Sequence, residues 1–172
     1  MINLINKTSS ILAIFILSFS IFSSSDNTKL TRDSLIALDG LIDGLHKDAH
    51  EGNYQAYFNR YSSGAVFLGT DKTERWTISE FKAYAKPAFA DGHGWTYEVV
   101  ERNWEGSGDN RWFDEILFNQ KYGHCRGTGV VEFINGEWKI AHYSLTLLVP
   151  NDIAAEVGLQ TQKAEKQKIL SN

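Results

Sequence analysis

The sequence predicts an α+β fold in which N-terminal helices pack on one face of a strongly curved antiparallel sheet. Two observations carry this. Apolar residues recur at helical spacing through the first half of the chain, and from Trp95 onward the period becomes that of strands. The connections between the later segments are too short for parallel crossovers, which need a dozen or more residues, so those neighbours must be antiparallel. Helices first and a meander afterwards is the α+β pattern.

In chain order, residues 1–25 stand apart. Lys7 is their only charged side chain, and Ile11 to Phe22 is apolar except for Ser18 and Ser20. That is the pattern of a secretory signal peptide, with cleavage expected near Ser25 and Asp26. The apolar run is shorter than the ~20 residues a membrane-spanning helix needs, so no stable membrane association is expected after cleavage. No cysteine follows it to carry a lipid anchor. The chain is therefore expected to be periplasmic or secreted, with a linker at 26–33, one domain at 34–152 and a polar tail at 153–172.

Loss of the leader leaves 16 basic against 21 acidic residues, a formal charge of about -5. Phosphate backbones are held by clustered Lys and Arg, and the densest basic stretch here is the mixed tail Lys163 to Lys168, so nucleic acid is not an expected partner. Cys125 is the only cysteine. The domain must hold without an internal disulfide, and Cys125 reads as a small buried apolar residue.

Leu35, Leu38, Leu41, Ile42, Leu45 and Ala49 mark an amphipathic helix that starts near Thr31 and stops at Gly52. Asn53 is a candidate cap for a second helix carrying Tyr54, Tyr57, Phe58 and Tyr61. Ala65 to Gly69 reads as a short strand, and Thr70 to Arg75 as a polar loop. Thr77 and Glu80 have capping-box spacing for a third helix, which Pro87 should kink or end. Four β-rich segments follow, at 95–104, 111–118, 124–134 and 138–149, joined by short connections rich in Gly, Asn and Asp. Gly127 and Gly129 alternate in one of them, which frees one face for curvature or close packing. After Pro150 a short, fraying helix is expected.

Alternation within strands selects the candidate site. His142 and Ser144 are assigned to one face of the last strand with Trp138, Ile140 and Thr146, and Arg126 and Thr128 share a face of the strand before it. Trp112, Asp114, Ile116 and Phe118 oppose Phe113, Glu115 and Leu117. If the His142 face looks inward, it has the mixed lining of a small-molecule site. His142 or Asp114 would then move a proton, and Arg126 would meet an anionic group or pair with Asp114 or Glu115. Each also has a structural reading, as a hydrogen-bonded histidine or an ion pair. Trp76, between a polar loop and a helix start, is placed to roof a cavity. His46 and His50 lie one helical turn apart, but no further ligand motif accompanies them, so neither a metal nor a cofactor is expected. GxSxG, HExxH and phosphate-binding glycine loops are absent.

Several segments together resemble SnoaL-like proteins of the nuclear transport factor 2-like superfamily. They are Phe67-Leu-Gly-Thr-Asp-Lys-Thr-Glu-Arg-Trp76, Thr77-Ile-Ser-Glu80-Phe81, Trp112-Phe-Asp-Glu115, Arg126-Gly-Thr128-Gly-Val130 and Trp138-Lys-Ile140-Ala-His142. The resemblance, from Leu35 to about Asn151, implies a cone-shaped cystatin-like roll, a pocket between helices and concave sheet face, and frequent homodimers through the sheet. Such relatives include polyketide cyclases, ketosteroid isomerase, dehydratases and non-catalytic assembly domains. Fold alone therefore leaves two readings open: a pocket for a small organic ligand, with acid/base activity or without it, and an assembly module with a vestigial pocket. Many members carry a second histidine where this chain has Ser144, which weighs against a mechanism needing a histidine pair.

Overall fold

The computed structural model describes residues 31–170, so the expected leader and most of the expected linker lie outside the described residues. Three helices come first, α1 (Arg32–His50), α2 (Tyr54–Asn59) and α3 (Ile78–Ala90). Between α2 and α3 run β1 (Tyr61–Leu68) and β2 (Arg75–Thr77), and after α3 come β3 (Glu98–Ser107), β4 (Asn110–Asn119), β5 (Gly123–Ile134), β6 (Glu137–Leu147) and α4 (Ala154–Leu170). The six strands form one sheet in the order β2-β1-β6-β5-β4-β3.

Local chemistry accounts for most boundaries. The Thr31 hydroxyl accepts the Ser34 amide and starts α1, and the chain leaves that helix through Gly52 at φ 70°. Thr77 and Glu80 form a complete capping box at α3. Leu38, Ile42, Leu45 and Ala49 are the buried stripe of α1, as their spacing requires. Phe58, Phe67, Phe81 and Phe89 join that stripe to the inner sheet face, where Phe113, Val131, Ile140 and Tyr143 complete the core. No helix of the described residues is long and apolar enough to cross a membrane.

The structure departs from expectation in five places. Asn53 makes no side-chain cap; its amide donates to Asp48 and Glu51 instead. Tyr61 opens β1 rather than closing α2, and β2 occupies part of the expected loop. Of the two outcomes expected at Pro87, an end is excluded: α3 runs on to Ala90, with Ala85 and Phe89, on either side of the proline, buried against the core. β1 pairs in parallel with β6, since some seventy residues separate these strands and no hairpin constrains them. The C-terminal helix has 17 residues and no buried one.

Candidate functional site

The site begins with an alternation in β4. Arg111, Phe113, Glu115 and Leu117 face the helices and are buried, whereas Trp112, Asp114, Ile116 and Phe118 face outward. Glu115 is therefore a carboxylate with 0% exposure in the core, and it survives there only because donors surround it. His46 of α1 places Nε2 2.9 Å from Oε1. The Tyr143 hydroxyl of β6 donates to the same oxygen at 2.7 Å. Arg102 of β3 donates through Nε to Oε2 at 3.0 Å, with Nη2 in ion-pair contact at 2.9 Å.

Burial alone would push the Glu115 carboxyl up; the hydrogen bonds and charges of His46, Arg102 and Tyr143 outweigh it and hold the group below the ordinary glutamate value. Arg102 is fixed in turn by Asp43 at 2.8 Å and Asp39 at 3.2 Å on α1, and the Trp104 indole donates to Asp39 at 2.8 Å. Gly127 lies directly across from Glu115 in the β4–β5 ladder. A Cβ there would press on the Tyr143 hydroxyl and on Glu115, so the glycine makes room for the cluster.

His46 and Tyr143 line a hollow of about 20 Å³, which is space for roughly one water. Four of its other walls, Phe67, Trp95, Tyr97 and Leu145, also line a wider cleft of about 270 Å³ that reaches the surface past Trp76 and Tyr84. The arrangement is thus an aromatic cleft that adjoins a small hollow carrying His46 and Tyr143. The Nε2 proton of His46 points to a carboxylate, which leaves Nδ1 as the nitrogen able to take or give a proton. Burial raises the Tyr143 phenol well above its ordinary value, and the neighbouring Glu115 charge adds to this, so it remains a donor.

Residues 39–150 match the SnoaL-like domain family. The chain belongs to that family. No curated protein matches it in sequence. Among solved structures, a nuclear transport factor 2-like protein of unknown function from Pseudomonas putida superposes on the SnoaL-like domain with TM-score 0.61 at 11% identity, over 72% of this chain and 92% of that one. A cystatin-like domain of unknown function from Nostoc punctiforme gives TM-score 0.60 at 12% identity, over 83% and 98%. A second cystatin-like protein of unknown function from the same organism gives 0.58 at 14%, over 72% and 96%. These likenesses show the fold, a cystatin-like α+β roll.

Of the residues singled out in the sequence, Trp76 alone lines the cleft of this SnoaL-like domain. The face assigned to the other five is corrected. Trp112, Asp114, Arg126, His142 and Ser144 lie on the outer sheet face, in register across the ladder: Trp112 opposite Val130, Val130 opposite His142, and Thr128 between Asp114 and Ser144. The cause in β6 is a bulge at Ala141. Val130 pairs with His142 but Val131 with Ile140, so Trp138 and Ile140 point inward while His142, Ser144 and Thr146 point out. Strict alternation had put them together.

Arg126 is exposed and makes no ion pair among the described residues; the arginine that meets Glu115 is Arg102. His46 and His50 diverge, His46 to Glu115 and His50 to Thr96. Sequence reasoning named Glu115 only as a possible partner of Arg126, passed over Arg102 and Tyr143, and weighed His46 only for metal. One signal was present: Glu115 falls between Phe113 and Leu117 on an apolar face, opposite a glycine.

Proposed function

We propose that this SnoaL-like domain belongs to an exported protein that binds a small organic ligand in the aromatic cleft and moves a proton on it through His46. The observation that carries this reading is that the cleft shares Phe67, Trp95, Tyr97 and Leu145 with the small hollow lined by His46 and Tyr143, both of which are bonded to the buried Glu115. Glu115 orients the imidazole through Nε2, and the Tyr143 hydroxyl donates to the same carboxylate oxygen. A histidine held this way suits isomerisation, cyclisation or dehydration, which need a base and an acid at one small site. Export rests on the apolar leader at 1–25.

Native mass spectrometry of the protein from its own periplasm or culture medium tests both parts. The expected result is a chain shortened near Ser25 that carries a small molecule, with the adduct lost in Trp76→Ala. An intact chain would overturn export, and an empty one would overturn the pocket reading. Catalysis is tested separately, because His46→Ala should abolish turnover of the captured ligand while retaining its binding.

A second reading, dimer assembly, is favoured by the outer sheet face. Trp112 is 54% exposed there, beside Ile116, Phe118 and Val130, all only partly buried. A sheet face that mixes these apolar groups with Asp114, Arg126, His142 and Ser144 fits a homodimer through the sheet. The two readings coexist, since the cleft and the outer face lie on opposite sides of the sheet.

A further inference from the structure

The cleft has a charge as well as a shape. Seven of the eleven residues lining it are aromatic, and the one charged residue among them is Glu74; no Lys, Arg or His is present. Glu74 belongs to the turn between β1 and β2. The Gly69 amide donates to its carbonyl at 2.8 Å, and the Asp71 amide donates to its Oε2 at 3.1 Å. Its side chain folds over Gly69 so closely that a Cβ on that glycine would collide with it. The carboxylate is thus positioned by backbone, and Oε1 has no partner among the described residues. Of the cations nearby, Lys72 pairs with Glu165 at 2.9 Å, Lys168 lies with Lys72 at the Asp71 side of the turn, Lys121 sits 4.9 Å over the Tyr122 ring, and Arg75 is exposed on β2, next to Trp76 and so on the opposite strand face.

These facts discriminate between ligand charges. An anion would meet the Glu74 carboxylate with no cation among the cleft's own lining residues, His46 lying behind it in the small hollow, and a neutral molecule would make apolar and hydroxyl contacts without any charge contact. A cation gains from Glu74 and from the aromatic walls, to the extent that their faces are not stacked on one another as Phe67 is on Phe81 and Trp76 on Tyr84. An ammonium wrapped in methyl groups suits such walls best, because it has little hydration to lose. Taking the cleft as a ligand pocket, as proposed above, we infer that its ligand is a small organic cation of the methylated or quaternary ammonium class. Trp76 and its neighbouring rings form the walls, and Glu74 supplies the counter-charge.

Isothermal titration of the mature chain with three probes of one shape tests this: choline, its neutral isostere with carbon in place of nitrogen, and the corresponding tert-butyl carboxylate. Choline is expected to bind about tenfold tighter than the isostere, with the carboxylate weakest. Glu74→Gln should erase most of that preference and leave the isostere's Kd unchanged, while Trp76→Ala weakens both. Glu74 is part of a surface turn, and an unchanged melting curve for Glu74→Gln shows that folding is intact. Equal binding of choline and isostere, or tighter binding of the carboxylate, overturns the cation assignment and leaves the pocket standing. Failure of all three probes to bind at millimolar concentration also overturns it, and the pocket reading then rests on the mass-spectrometric result.

Discussion

Glu115 shows how one side chain is made tolerable by its neighbours. Three donors from three elements converge on it, and its folded-state carboxyl titrates below the ordinary range as a result. A depressed carboxyl contributes stability that is present above its unfolded value, about pH 4.3, and lost as pH falls through the folded value. Thermal melts between pH 7 and pH 3, a range spanning that value, should therefore show a falling Tm for the wild type and a flatter profile for Glu115→Gln. That variant should itself be about 3 kcal/mol less stable near neutrality, because Arg102 loses a buried partner. The buried phenols of Tyr61 and Tyr143 are shifted upward, chiefly by burial. Their contribution is present below the ordinary tyrosine value and lost as pH rises above it, so alkaline unfolding should follow. Gly127→Ala should cost roughly 1–3 kcal/mol in urea denaturation, since the added methyl meets Glu115 and Tyr143.

At the scale of elements, the caps and turns are local and the faces are not. Thr77 closes a capping box with partners three residues away, and both partners are visible in the sequence. Thr77→Ala should lower stability by about 1 kcal/mol, measured by urea denaturation, with the slope of the transition unchanged. The faces of β6 were hidden by one residue. Ala141 bulges, and every side chain beyond it changes sides relative to strict alternation. No residue type announces such a bulge, because it is set by how β6 fits β5 on one edge and β1 on the other. α3 gives a similar lesson: Pro87 lacks its amide proton, yet the burial of Phe89 carries the helix three residues further.

For the whole molecule, the sheet separates two surfaces of different chemistry. The inner face carries the cleft and the Glu115 cluster, and the outer face carries Trp112, Arg126 and His142. If the outer face joins two copies, Trp112→Glu should shift the sedimentation coefficient from dimer to monomer and leave ligand affinity within about twofold, since additivity holds for distant sites. A monomeric wild type would overturn the dimer.

The sequence by itself determined the α+β class, the order of helices and hairpins, the capping of α3 and the buried stripe of α1. Each follows from periodicity, turn chemistry or contacts within a few residues. Tertiary structure alone decided which sheet face is inner, that β1 runs parallel to β6, and that His46, Arg102 and Tyr143 meet on Glu115. Those residues come from four elements as far as 97 positions apart, His46 to Tyr143. Their meeting depends on the twist of the sheet and on a one-residue bulge, neither of which local spacing encodes.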